Sequence, residues 1–329
     1  MASILTNAAA MAALQTLRSI DRSFETTQAR VSSGLKVETA ADNAAYWSIA
    51  TTMRSDNRAL ATVQDALGLG AAKIDTAYAA MESAIEVVQE IKSKLVAAYG
   101  VGTDRSKIQE EINQLQQQLK SISESASFSG ENWLQEDISD VTGTTATPVT
   151  VTKQVVASFI RNASGTVGVT TVDYPLNEDT VLFDTGGGNL GILDKLAMNG
   201  TTSLDFSVVT LDITDLGTVA LQLDIAEPPG PHDDVDALDA MTQFVDEQLE
   251  AMTSAASSLG SIQSRIDMQE DFVATLIDTI DTGVGRLVDA DMNEESTRLK
   301  ALQTQQQLAI QSLSIANTNS QNILQLFQQ

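Results

Sequence analysis

At 329 residues the chain is long enough for two or three domains, and with a formal net charge of −25 it would repel nucleic acid and anionic membrane surfaces. Aromatic residues make up only 4%, which favours long helices with small seam residues over one large globular core. Cysteine is absent, which excludes disulfides, thiolate metal sites and cysteine nucleophiles.

That charge is unevenly spread. No Asp, Glu, Lys or Arg precedes Arg18, and none follows Lys300. Met1 to Leu17 has no basic residue, and Thr6, Asn7, Gln15 and Thr16 interrupt its apolar character, so it does not read as a cleaved secretory signal. No stretch reaches the roughly 18 apolar residues of a membrane span. The expectation is a soluble chain that, if exported, leaves by a route that cleaves no signal.

The first helical run uses Ile4, Ala8, Met11, Leu14, Leu17, Ile20, Phe24 and Val31, and breaks at Ser33-Gly34. A second begins near Asp42, a candidate N-cap, with its clearest stretch at Ile74, Ala77, Met81, Ala84, Val88, Ile91 and Leu95. Gly100 and Gly102 end it. Asp104 or Ser106 restarts a third run, Ile108, Ile112, Leu115, Leu119 and Ile122, which stops at Phe128-Ser129-Gly130. From about Ser139 to Gly230, Thr, Val, Gly and Asp dominate. Val149 to Val156, Thr166 to Val172 and Ser207 to Ile213 read as strands, with turns at Gly186-Gly187-Gly188 and Asn199-Gly200.

Helix resumes at Asp233 with a seam of Met252, Ala255, Leu259, Ile262, Ile266, Gln269, Val273, Leu276 and Ile280. A softer break at Gly283 and Gly285 precedes a last segment from about Asp289. There Leu299, Leu302, Gln306, Ala309, Leu313, Ala316, Ser320, Ile323 and Phe327 step by three and four, the spacing of a seam that meets another helix. The opposite face carries Gln, Ser, Thr and Asn, where a surface helix of a monomer would carry charge. An uncharged helix at each end suggests segments buried by neighbouring subunits. The fold class is mainly α, with long coiled-coil-like helices from both termini forming the core and a β-rich inserted outer domain.

Signals for chemistry are weak. His232 is the lone histidine, at a loop-to-helix junction, and there is no HExxH for a zinc site. Asp233, Asp234, Asp236 and Asp239 lack the glycine turn and terminal Glu of a calcium loop, and carboxylates in a first helical turn are favourable against its dipole. The triple glycine lacks the Gly-Lys-Ser/Thr of a phosphate loop. Asn162-Ala163-Ser164 and Asn199-Gly200-Thr201 match a glycosylation sequon that recurs by chance and read as surface turns. No catalytic residue, cofactor or metal ligand is expected.

The junctions point to a family. Arg30-Val31-Ser32-Ser33-Gly34-Leu35-Lys36 with Ala40-Ala41-Asp42-Asn43-Ala44-Ala45 resembles the N-terminal signature of bacterial flagellins. Phe128-Ser129-Gly130-Glu131-Asn132-Trp133-Leu134 resembles the segment where their helical core gives way to the variable outer domain. Leu259-Gly260-Ser261-Ile262-Gln263-Ser264-Arg265-Ile266 is similar to their returning core helix. The tail, Asp289-Ala290-Asp291-Met292-Asn293-Glu294-Glu295-Ser296 through Ala316-Asn317 and Gln321-Asn322-Ile323-Leu324-Gln325-Leu326, resembles the alphaproteobacterial branch.

The resemblance implies a filament subunit for swimming motility, exported unfolded by the flagellar type III apparatus and assembled at the distal tip. It implies an export chaperone on the C-terminal segment, a cap, and other copies of the chain, with other flagellins a further option. Residues 1–42 with 288–329 would form the innermost layer, 43–136 with 232–287 a helical rod, and 137–231 the outer surface. The self-assembly seam is expected at Ile4, Met11, Leu14, Leu17, Leu302, Ala309, Leu313, Ala316, Ile323 and Phe327. The family signature falls on Ser32, Ser33, Gly34, Leu35, Asp42, Ala44, Ala45, Asn317, Gln321 and Asn322. Where many flagellins carry a basic stretch read by a Toll-like receptor, this chain has Gln89-Glu90-Ile91-Lys92-Ser93-Lys94-Leu95-Val96, with Glu90 in place of the usual arginine. Weak or absent activation of that receptor is expected. Rival readings are a hook–filament junction protein and an added adhesin role for the insert.

Overall fold

A computed structural model describes residues 7–100, 102–142, 145–162, 166–199, 202–225 and 233–326. His232 and the proline-rich run before it lie outside them, as do Ile4 and Phe327. The chain forms two compact units. One comprises Met1–Ala59 and Leu276–Gln329, the other Leu60–Thr275.

The first unit holds helix α1 (Ala8–Ser33), the start of α2 (Ala44–Ala97), the end of α5 (Asp234–Val288) and α6 (Met292–Leu326). The Asn7 side chain caps α1 by accepting from Ala10 N–H at 3.1 Å. Gly34 ends it in the left-handed region, at φ 75°, with its N–H on Arg30 O. That turn lets the chain fold back onto the α5–α6 junction. Lys36 and Val37 donate to Val288 O, and Ala290 donates to Gly34 O. Val37, Ala50, Val284 and Val288 form the small core beneath, with Leu35, Met53, Ile280 and Leu287 against it.

Asp42 does not cap α2. Its carboxylate accepts from Glu38 and Thr39 N–H and from the Thr39 hydroxyl, and these bonds hold its pKa below the usual carboxylate value. Asn43 caps the helix instead, accepting from Ala45 and Tyr46 N–H. α5 runs unbroken to Val288 through Gly283 and Gly285, because a helix tolerates isolated glycines at a cost of about 1 kcal/mol each.

In the second unit α2, α3 (Arg105–Ser125) and α5 make the helical part. Every residue of the α2 stripe from Ile74 to Leu95 is fully buried, as are Met252, Ala255, Leu259, Ile266 and Val273 of α5. α2 and α5 run antiparallel, linked by Gln263 donating to Asp75, Lys92 to Asp246 and Tyr99 to Asp239. Asp233 caps α5, accepting from Val235 and Asp236 N–H.

After α3 the chain makes a ladder of β1 (Ser127–Phe128) with β2 (Glu131–Asn132), then β3 (Gln135–Glu136) and the hairpin β4 (Ser139–Thr142) with β5 (Thr145–Pro148). A longer antiparallel hairpin follows, β6 (Val151–Arg161) with β7 (Val167–Leu176), bulged between Val156 and Ser158. Val155 of β6 comes so close to Gly70 of α2 that any Cβ there would collide with it. Trp133 stacks on Tyr174 of β7, centroids 5.6 Å apart, tying the hairpin to the segment after α3. β8 (Phe183–Asp184) pairs parallel with β3, and β9 (Met198–Asn199) pairs with β10 (Thr202–Ser203).

Ser207 to Ile213 is not a strand. Gln109 and Gln116, buried on α3, donate to Leu211 O, and Gln116 also to Val208 O, while Ile213 N–H donates to Gln109 Oε1. Side chains of α3 thus take the backbone groups a strand partner would have taken. α4 (Leu216–Ile225) follows, burying Leu216, Val219, Ala220 and Leu223.

The triple glycine is a tight knot. Asp184 accepts from Ile138 and Gly186 N–H through Oδ1 and from Gly188 and Leu190 N–H through Oδ2. Gly187 sits at φ 86°, and a Cβ on Gly188 would lie 2.5 Å from that of Ser139. Asp194 accepts from Asp184 N–H through Oδ2, and its buried Oδ1 has no partner among the described residues. Burial pushes Asp194 up to about 6, the Asp184 charge adding to the rise and the Asp184 N–H opposing it. Burial would raise Asp184 too, but hydrogen bonds from Ser139 and the N–H groups of Gly186, Ile138 and Leu190 hold it below its usual value.

These shifts fix a pH window. The raised Asp194 contributes stability that is whole below the carboxylate's unfolded value of 3.8 and is lost as pH rises through about 6. The lowered Asp184 contributes stability above 3.8 that is lost as pH falls through its folded pKa. Amides from 184 to 194 are therefore expected to exchange more slowly near pH 5 than near pH 7.5 after correction for intrinsic rates. Asp194→Asn should flatten that difference; an unchanged pH dependence in the variant would refute the assignment.

Candidate functional site

Within the first unit α1 and α6 lie antiparallel, and their facing stripes are complementary. On α6, Leu299, Leu302, Gln306, Ala309, Leu313 and Ala316 are all half-buried. On α1 the inward stripe is Ala10, Ala13, Leu17, Ile20, Phe24, Thr27 and Val31. Three polar contacts cross the seam. Asn7 Nδ2 donates to Ala316 O at 3.0 Å, Gln306 Nε2 to Asp21 Oδ1 at 2.8 Å, and Arg30 Nη1 to Glu295 Oε1 at 3.2 Å.

The outer faces are the unusual part. Met11 is 64% exposed, Leu308 59% and Ile315 70%, with Leu14 and Ile310 also exposed. No charge is available on either helix among residues 7–17 or 301–326 to mask them. A groove of about 300 Å³ runs beside them, lined by Ala13, Thr16 and Ile20 of α1 and Gln305, Leu308, Ala309 and Ser312 of α6. At the start of α2, Tyr46, Trp47 and Ile49 are exposed as well. Burying a side chain of this size stabilises by about 1.5–3 kcal/mol, so this much open apolar surface marks an interaction site.

The expected seam residues thus fall into two groups. Leu17, Leu302, Ala309, Leu313 and Ala316 face the partner helix of their own chain, whereas Met11 and Leu14 face away. The side chain of Ile323 lies outside the described residues. Of the signature positions, Gly34 and Leu35 make the fold-back at the α5–α6 junction, and Ser33 Oγ accepts from Leu35 N–H. Ser32, Ala44, Ala45 and Asn317 are exposed, and the side chains of Gln321 and Asn322 are not among those described. Leu308, Ile310, Ile315, Tyr46, Trp47 and Ile49 were not expected from the sequence. An outer stripe of Leu308 and Ile315, seven residues apart, was the available signal for two of them.

No group of carboxylates or histidine able to hold a metal occurs among the described residues, and no described helix is long and apolar enough to cross a membrane.

Comparison with known proteins decides what this arrangement belongs to. The bacterial flagellin N-terminal helical region matches residues 4–138, and the bacterial flagellin C-terminal helical region matches residues 242–327. Flagellin D of Rhizobium meliloti (strain 1021) is 52% identical over 412 aligned residues, covering 100% of both chains. The chain belongs to the bacterial flagellins. Flagellin A of that strain is 54% identical over 403 residues, with 99% of this chain and 100% of the relative covered. Flagellin C is 55% identical over 336 residues, with 100% of each covered.

This flagellin is thus a subunit of the extracellular flagellar filament, a structural protein that self-associates, and it sits in the alphaproteobacterial branch to which its tail points. A junction-protein role is not favoured beside full-length identity to filament flagellins. Neither family region covers residues 139–241, which hold most of the β-rich insert.

Proposed function

We propose that this flagellin polymerises through the outer faces of α1 and α6, with the inner seam holding each subunit's own helix pair. The observation that carries this reading is the set of exposed, uncharged apolar residues Met11, Leu14, Leu308, Ile310 and Ile315 on helices whose inward faces are already paired. Residues 1–42 with 288–329 then make the innermost layer, 43–136 with 232–287 the rod around it, and 137–231 the solvent-facing surface. Tyr46, Trp47 and Ile49 fall at the inner end of that rod.

The contrast between outer and inner faces provides the test. Ile315→Asp puts a charge on the outer face and should leave the α1/α6 pair intact, while weakening subunit addition on the order of 100-fold, the effect of about 3 kcal/mol. Leu313→Asp should instead open the pair within the subunit, seen as lost helicity. Filaments of Ile315→Asp growing at the wild-type critical concentration would refute the reading.

The chain carries no active site in this reading, and its insert serves as a surface module with room for an added adhesin role. The charge-free part of α6 after Lys300 is the segment an export chaperone would cover before unfolded passage through the type III apparatus, and a distal cap and other flagellins are this subunit's remaining partners. Toll-like receptor activation is expected to be weak. Glu90 is exposed on α2, while Lys92 and Lys94 are held by Asp246 and Glu111, leaving that stretch without a free basic face. A full reporter-cell response at ordinary flagellin doses would overturn this.

A further inference from the structure

The α1/α6 seam repeats every seven residues on both helices. On α6 the two columns are Leu299, Gln306, Leu313 and Leu302, Ala309, Ala316; on α1 they are Ala10, Leu17, Phe24, Val31 and Ala13, Ile20, Thr27. A slide of one heptad, about 10.5 Å, lays column upon column again, so packing of small and apolar side chains alone does not choose between the two registers. The fold-back bonds at Val288 O and Gly34 O tie the two helices at one end, and the side-chain contacts hold that choice along the seam. Glu295 is 5% exposed at the start of the α6 seam, where Oε1 accepts from Arg30 and Oε2 has no partner among the described residues. Thr27, 4% exposed, lies one turn before Arg30. A heptad slide one way would bring Glu295 level with Ser23, between Ile20 and Phe24, and leave Arg30 without its carboxylate. The other slide carries Glu295 past Ser33, where α1 has ended.

We propose that the Arg30–Glu295 ion pair holds the α1/α6 pair in the register that the fold-back begins, as a positioning contact that the heptad seam cannot supply. A buried charge is costly wherever its counter-charge is absent, so the pair acts chiefly by excluding the slipped arrangement. Gln306 with Asp21 and Asn7 with Ala316 agree with the same register but are more exposed, and they follow it. The inference concerns two helices of one chain and does not rest on how neighbouring subunits meet.

The absence of native cysteine makes register directly readable in the full-length chain. Ala13 and Ala309 line the same groove, so an Ala13→Cys, Ala309→Cys chain should form an intramolecular cross-link, whereas Ala13→Cys, Leu302→Cys reports the slipped register. With Arg30 and Glu295 intact, only the first pair should close. In Glu295→Leu or Arg30→Met backgrounds the second should appear alongside the first, at retained helicity. Arg298→Leu is the control. It removes the other guanidinium on Glu295 Oε1, 3.3 Å away on the same helix, and should leave the wild-type pattern. A sole native cross-link in both Glu295→Leu and Arg30→Met would overturn the proposal, as would slippage in Arg298→Leu equal to theirs. If Glu295→Leu loses its helices, Arg30→Met decides.

Discussion

Deleting residues 301–329 is expected to leave a soluble chain that forms no filaments. The truncation removes Leu302, Gln306, Ala309, Leu313 and Ala316, the half-buried stripe that covers α1, together with Leu308, Ile310 and Ile315 of the outer face. α1 would then keep only Glu295 and Leu299 as seam partners. Most helical stability in a protein comes from packing of one amphipathic face, so α1 should fray once that face is uncovered. The rest of the first unit should persist, since Val37, Ala50, Val284 and Val288 and the hydrogen bonds at Val288 O and Gly34 O all lie before the cut. Two losses are thus combined, a frayed α1 and a missing contact face, and either alone would block subunit addition. Circular dichroism should show more helix lost than the deleted segment contains. Filaments in negative stain, even after seeding with wild-type fragments, would contradict this.

Gly191→Val should do the converse, loosening the insert while filaments still form. A Cβ at this position would lie 2.7 Å from Leu182 O and 2.8 Å from Phe183 Cα. Both are backbone atoms of the turn into β8, and they are held by Leu193 N–H on Leu182 O and Ile192 N–H on Val181 O, so neither can swing aside as a side chain would. Overpacking of this kind costs about 3 kcal/mol, roughly a 100-fold shift toward the opened insert. The helix pair of the first unit is untouched by it. Limited proteolysis should cut the variant within 180–195 far faster than the wild type, with filament yield preserved. Equal protease resistance would show that the knot yields more easily than its geometry says.

The long stripes were the most legible part of the sequence. Every α2 position from Ile74 to Leu95 in the expected series is buried, and each expected α6 position whose side chain is described lies in the seam. Near the start of α1 the expected stripe lies one residue, about 100°, from the face that meets α6. The inward residues there are Ala10 and Ala13, which carry little hydrophobic signal, while the larger Met11 and Leu14 point away from α6. Ser207 to Ile213 alternates like a strand, but Gln109 and Gln116 some hundred residues earlier supply the hydrogen bonds, and no local pattern reports so distant a partner. α4 had a helical period at Leu216, Val219, Ala220 and Leu223, hidden inside a stretch whose Thr, Asp and Gly content reads as turn and strand. The triple glycine was legible as a turn, though not as the cradle of Asp184.

The three contacts that cross the α1/α6 seam join residues 265, 285 and 309 positions apart, and that separation orders events in time. Contacts this remote in sequence are the slowest to form, because the loop between them must close first. In a chain delivered from its N-terminus, the opening helix waits for its partner until nearly the last residue has emerged. A chain halted early has no second helix to offer, so completeness of the polypeptide becomes a condition for closing the pair. Closing of the seam is therefore expected to come last, after both helices of the pair are present.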